Sequence, residues 1–204
     1  MTIKKSLFIA AFMLLATTMA NAAKKTIYKP WSNGKLKVSA NQRYLIHENG
    51  TPFFWLGNTA WLLPERLNRD EAEYFLAKER ELGYNVEQIQ VLNAIPTFNV
   101  YGQQANNKEF DFSKVSKPGV YGYWEHLDYI IDRAADNGIY IAMDCIWGSM
   151  IGQMDVKKAV AYGKFLGERY KDKPNIIWMI GGDILGDKSP EVWDALARAI
   201  KKYD

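Results

Sequence analysis

The stretch Asn175-Ile-Ile-Trp-Met-Ile-Gly-Gly-Asp183 constrains the fold more than any other part of the chain. Lys173-Pro174 precedes it and ends a helix, because proline pushes the residue before it out of the helical region. Residues 175–180 are almost wholly apolar and do not alternate, the pattern of a strand covered on both faces in a parallel sheet. Gly181 and Gly182 are expected to let the backbone leave the strand at unusual angles and to leave open space beside it. Asp183 is then delivered at the carboxyl end of a buried parallel strand, where α/β folds place their chemistry.

The elements before that stretch fit the same architecture. Residues 36–39 and 43–47 are short strand candidates. Asn49-Gly50 reads as a two-residue hairpin turn, since both residues tolerate positive φ. Pro52-Phe-Phe-Trp-Leu56 is the expected first strand of the main sheet, with Gly57-Asn-Thr-Ala-Trp61 at its end. Asn68 with Glu71 three residues later predicts a capped helix that closes at Gly83. Residues 84–92 follow as a strand, then a long loop from Asn93 to Val120, which its length marks as functional. Trp124, Leu127, Ile131 and Ala134 repeat at helical spacing, and Asn137-Gly138 ends that helix. Tyr140–Asp144 is the next strand, Asp155 caps a further helix, and Ser189-Pro190 starts the last.

A hairpin followed by four strand–helix units predicts a parallel sheet. No Gly-x-Gly-x-x-Gly follows the first strand, so the dinucleotide-binding option lacks its fingerprint. The expected fold class is α/β, a (β/α)8 TIM-type barrel truncated to about four βα units behind a short β-hairpin. Eight units usually take about 250 residues, so residues 36–204 are expected to be the N-terminal half, with the C-terminal half absent from this chain.

Residues 1–22 carry Lys4-Lys5, an apolar run from Leu7 to Met19, and Ala20-Asn21-Ala22, the three regions of a secretory signal peptide. Residues 23–35 read as an N-terminal tether. The apolar run is short for a membrane span, and none is expected after signal cleavage. Cleavage would remove two lysines and no acid, taking the formal charge from +3 to +1. A near-neutral mature protein gives no support for a nucleic-acid or membrane-surface role. A periplasmic, extracellular or cell-surface location follows from the signal. Cys145 is the sole cysteine, so no intrachain disulfide can form and an apolar core must hold the fold.

In a barrel the site is assembled from residues just past each strand. These are Asn58, Thr59 and Trp61 at the first, Gln90 and Asn93 at the second, Asp144 and Trp147 at the third, and Asp183 at the fourth. Amides, carboxylates and indole rings at one rim suit a neutral polyhydroxylated ligand. Asn58 could equally brace its loop, Trp61 and Trp147 could be core, and Gln90 and Asp144 could form a structural polar layer in the lumen. Glu125, Asp128 and Asp132 are most simply a solvated helix face. His47 and His126 stand far apart, and neither a metal nor a cofactor is expected. For Asp183 the bland reading is a loop cap.

Trp55-Leu-Gly-Asn-Thr-Ala-Trp61, Tyr101-Gly102 and above all Lys173-Pro-Asn-Ile-Ile-Trp-Met-Ile-Gly-Gly-Asp183 resemble the apiosidase-like glycoside hydrolases of glycoside hydrolase family 140, in the family's order from about Leu36 onward. The resemblance implies a (β/α)8 barrel that hydrolyses glycosidic bonds in plant cell-wall pectin, with terminal apiose as the characterised sugar. It implies Asp183 as the acid/base. It also implies a retaining mechanism and a Glu nucleophile on a later strand, beyond residue 204, so that this chain alone is expected to be inactive. Asn58 stands where many relatives are expected to carry Asp, and Cys145-Ile146 is atypical, both of which bear on substrate identity. An oligosaccharide or polysaccharide is the expected partner, with no protein partner indicated. Two alternatives stay open, a non-catalytic carbohydrate-binding protein on a degenerate barrel and a barrel glycosidase acting on another glycan.

Overall fold

A computed structural model describes residues 26–115 and 118–204. The expected signal peptide and the first residues of the tether lie outside the described residues. An antiparallel sheet comes first, β1 (Leu36–Val38), β2 (Leu45–His47) and β3 (Pro52–Phe53) in that order. Four parallel strands follow, β4 (Gly57–Thr59), β5 (Val86–Gln90), β6 (Tyr140–Asp144) and β7 (Ile176–Met179), again in sequence order across the sheet. The helices are α1 (Leu63–Arg66), α2 (Arg69–Leu82), α3 (Tyr123–Asp136), α4 (Val156–Tyr170) and α5 (Pro190–Lys201).

Strand order separates a barrel from a doubly wound sheet, in which the order reverses and helices cover both faces. Here it never reverses. Ile89, Ile141 and Met143 join one large cluster with helix residues such as Leu76, Leu127, Ile131 and Leu166. Val86, Tyr140 and Ala142, at the alternate positions, join a small cluster that contains no helix residue. All helices therefore lie on one face, and the other face is a lumen. This is one side of a (β/α)8 barrel.

Helix starts and stops follow their chemistry. The Asn68 side chain accepts from the Glu71 amide while Glu71 accepts from the Asn68 amide, a reciprocal cap, and Gly83 closes α2 in the left-handed region. Asp155 Oδ1 accepts from the Lys158 amide to start α4. Ser189 precedes α5 but makes no side-chain cap. The acidic row on α3 is not simply solvated, because Arg169 of α4 bridges Asp128 and Glu125 and Lys173 pairs with Asp132.

Two expectations at the start of the barrel need correction. Pro52–Leu56 is not a barrel strand. Pro52–Phe53 completes the floor sheet, and the first barrel strand is Gly57–Thr59 itself. Asn85 makes the transition, its side chain accepting from the Leu56 amide at 2.9 Å and donating to the Phe54 carbonyl at 2.7 Å. The hairpin loop holds three residues rather than two, because His47 and Thr51 still pair and Gly50 alone takes positive φ, at +88°. Part of the expected tether also packs: Trp31 and Phe53 both set ring edges on Tyr140, the first residue of β6, and floor the amino end of the barrel.

The long loop is pinned rather than draped over the rim. Phe112 is buried and stacks on Phe165 with ring centroids 4.3 Å apart, and Trp124 Nε1 donates to the Ala105 carbonyl at 2.9 Å. Burying each such ring contributes ~2–3 kcal/mol. At the amino end of β7, the fully buried Asn175 donates through Nδ2 to the Ile131 and Ile139 carbonyls, tying the strand to α3 and to the entry of β6.

Candidate active site

The carboxyl ends of the strands are stitched to one another through their backbones. The Gln90 amide donates to the Trp61 carbonyl, Val91 to Asp144, Trp147 to Leu92, and Gly148 to Gly182, at 2.8 to 3.2 Å. These bonds bring Trp61, Gln90, Asn93, Asp144, Trp147 and Asp183 to one rim. Asn58 is not among them. The residues aligned with it are Glu87 and, beyond that, Ile141, both on the helix side. Its Nδ2 accordingly donates to Glu79 Oε2 of α2 at 3.1 Å, so its amide braces strand against helix and does not face the lumen.

The Gly-Gly-Asp turn also differs from expectation. Neither glycine takes positive φ; Asp183 does, at +61°. A non-glycine residue held in the left-handed region is strained, and such strain concentrates at functional sites. The space beside Gly181 is not open. A Cβ there would lie 2.4 Å from the Trp193 ring of α5, so the glycine lets the indole approach the strand end closely. Gly148 is equally constrained, since a Cβ on it would lie 2.2 Å from the Gly182 carbonyl oxygen. Trp193 and Gly148 thus fix the turn that presents Asp183. The carboxylate itself is exposed on the open side of the rim.

Asp144 behaves differently. It is fully buried at the end of β6 and faces the lumen. Neither carboxyl oxygen has a hydrogen-bond partner among the described residues. Burial pushes the Asp144 carboxyl up to about 7, with the Ile146 backbone amide partly opposing the shift. Gln90, its register neighbour on β5, is buried with Oε1 likewise unpartnered. Trp61 and Trp147 are half-buried, with ring centroids 5.9 Å apart and planes tilted by 54°.

Sequence reading missed Glu65 on α1. Its carboxyl is raised above the ordinary carboxylate range by burial, with Arg66 and the Asn93 side chain partly offsetting the shift, and one oxygen is buried without a partner. Its position four residues past Trp61, directly after a proline, was the available signal. A second carboxyl cluster lies outside the lumen. Glu87 of β5 and Glu79 of α2 are both buried, and Glu87 is pushed up to about 8 by burial and then by Glu79. Burial and the neighbouring Glu79 carboxyl together favour the neutral form of Glu87. Among the described residues no group of three potential metal ligands occurs, and no helix is long and apolar enough to cross a membrane.

The geometry can be set beside known proteins. A solved Bacteroides vulgatus protein described as a glycoside hydrolase family 5 member is 60% identical, with a TM-score of 0.85 over 88% of this chain and 40% of its own. Another solved glycoside hydrolase is 61% identical, with a TM-score of 0.84 over 87% of this chain and 40% of its own. The catalytic domain of a Thermobifida fusca endoglucanase shares the fold at 14% identity, with a TM-score of 0.59 over 87% of this chain and 53% of that domain's chain. No curated protein matches. This chain spans about 40% of the length of the first two. A profile of the apiosidase-like catalytic domain matches residues 39–204, and the chain belongs to that family.

Proposed function

We propose that this chain forms the part of an exported glycoside hydrolase barrel that carries the catalytic acid/base, Asp183, and that the enzyme removes a terminal sugar, apiose in the first instance, from plant cell-wall pectic glycans. The second carboxylate, a Glu nucleophile in a retaining mechanism, comes from the part of the barrel that this chain does not cover, and this chain alone is inactive. Glycoside hydrolysis needs two carboxyls flanking the scissile bond, one protonating the leaving oxygen and the other attacking the anomeric carbon or activating water. The observation that carries the reading is the conformation of Asp183. Asp183 stands at the end of the fourth parallel strand with its backbone in the left-handed region, and the two glycines before it are wedged by Trp193 and by the Gly148–Gly182 bond.

Replacing Asp183 by Ala in the full-length protein tests the role directly. A missing acid hurts most where the leaving group needs a proton. The variant is expected to lose at least 10²-fold in kcat/KM on pectic oligosaccharides while retaining much more activity on activated aryl glycosides. Equal activity of variant and parent on both substrate types would remove Asp183 from the acid role.

A further inference from the structure

Buried polar atoms in folded proteins almost always have hydrogen-bond partners, so clustered exceptions call for an explanation. Asp144 Oδ1, Asp144 Oδ2 and Gln90 Oε1 are three such exceptions on neighbouring strands, in register, in one layer of the lumen. The layer lies against the acid loop: a Cβ on Gly182, the residue before Asp183, would sit 3.6 Å from Asp144 Oδ2 and 3.4 Å from the Trp147 ring. These acceptor oxygens are therefore buried in the wall beside an indole.

We propose that Asp144 and Gln90 form a hydroxyl clasp for the sugar unit held next to Asp183, with the Asp144 carboxylate accepting from two adjacent ring hydroxyls and Gln90 from a third. The inference rests on the glycosidase reading above and adds to it a determinant of specificity. A carboxylate is acceptor-only, so it selects for donors, and two oxygens on one carbon match the spacing of neighbouring hydroxyls. Neighbouring Trp147 supplies the apolar surface on which a sugar's C–H face rests. The arrangement costs stability in the empty protein, because a buried carboxyl without a partner is unfavourable until a ligand satisfies it. That cost distinguishes a ligand-facing carboxylate from one paired inside the protein.

The test uses the full-length protein with Asp183→Ala to stop turnover, a pectic oligosaccharide bearing terminal apiose, and analogues of it in which single hydroxyls of that sugar are replaced by hydrogen. Thermal unfolding and titration calorimetry are run on this parent and on the added variants Asp144→Asn and Gln90→Met. In Asp144→Asn the unliganded Tm is expected to stay level or rise, while Kd weakens by about 10- to 100-fold, the range for hydrogen bonds to a charged group. At least one monodeoxy analogue that the parent rejects should bind Asp144→Asn as well as the complete sugar does, because the lost hydroxyl no longer has its acceptor. Gln90→Met should weaken binding with Tm held. A Tm lowered by several degrees in Asp144→Asn would show a carboxylate partnered within the protein and overturn the clasp, as would a Kd within about threefold of the parent or undiminished rejection of every analogue. If the parent itself fails to bind, the apiose substrate of the reading above falls, and the clasp for that sugar falls with it.

Discussion

Replacing Gly148 by Ala perturbs the Asp183 turn from the segment after β6, 35 residues away in sequence. The new Cβ would stand 2.2 Å from the Gly182 carbonyl oxygen and 2.7 Å from Ile184 Cγ1. Both contacts lie inside ordinary packing distance, and the nearer one is backbone, which cannot swing aside. Relief requires the two loops to separate by ~1 Å, breaking the Gly148–Gly182 hydrogen bond as they do so. Overpacking of this kind costs ~1–3 kcal/mol, and a displacement of ~1 Å at a reacting group costs ~10²-fold in rate. Gly152 supplies the control. It lies in the same short segment, has φ outside the left-handed region, and has nothing within 4 Å of its virtual Cβ. Thermal unfolding and kcat on a pectic oligosaccharide, measured on the full-length protein, should show Gly152→Ala near the parent and Gly148→Ala lower on both counts. Matching Tm and kcat in the two variants would refute the claim that a backbone close approach positions Asp183.

Two further outcomes follow from groups outside the catalytic step. The Glu87 carboxyl, held near 8 in the fold against an ordinary 4.5, favours its protonated form. Its stabilising contribution is therefore complete below about pH 4.5 and drains away as pH rises toward 8, with Asp144 acting in the same direction between 3.8 and about 7. Chemical denaturation from pH 5 to 9 should show the protein losing stability on the order of a few kcal/mol, and Glu87→Gln should flatten much of that slope; an unchanged slope would mean that Glu87 does not hold the proton. Asn175→Ala removes both Nδ2 bonds and leaves the Ile131 and Ile139 carbonyls buried without them, so unfolding should become easier by ~2–3 kcal/mol, detectable as a fall in Tm.

The repeating layout was legible because it rests on local chemistry. The Asn68–Glu71 cap, the glycine at the end of α2 and the unbroken apolar run of β7 each announce themselves within a few residues. Parity also carried far. Counting by twos along β6 put Asp144 with Ala142 on the lumen face, where it lies. The reading failed at the first barrel strand because the strand itself was misplaced. Pro52–Leu56 has the more apolar sequence, but Asn85 turns the chain after Phe54, and the barrel begins at Gly57. A parity argument is only as good as its origin, since a shift of one residue exchanges the faces. Asn58, read as a residue just past that strand, lies within β4 and takes the bracing role that was its alternative. Trp193 and Gly148 were invisible for another reason: each matters through one contact with residues far off in the chain, and composition does not encode such contacts.

Polar groups are used differently at the two ends of the strands. At the amino end of the strands, Asn85 spends its side chain on the Phe54 and Leu56 backbone, His47 contacts the Gly34 carbonyl, and both Asn175 bonds hold neighbouring elements together. There polar chemistry mostly serves the fold, although Asn175 Oδ1 is also buried without a partner among the described residues. At the carboxyl end, Glu65, Gln90 and Asp144 each bury an acceptor with no partner among the described residues, although the backbone around them is fully stitched. A fold selected for stability alone would have paired those oxygens or replaced them with apolar groups. A rigid backbone carrying unpaired acceptors is what a preorganised binding wall requires, because the ligand then completes hydrogen bonds without having to order the protein that makes them.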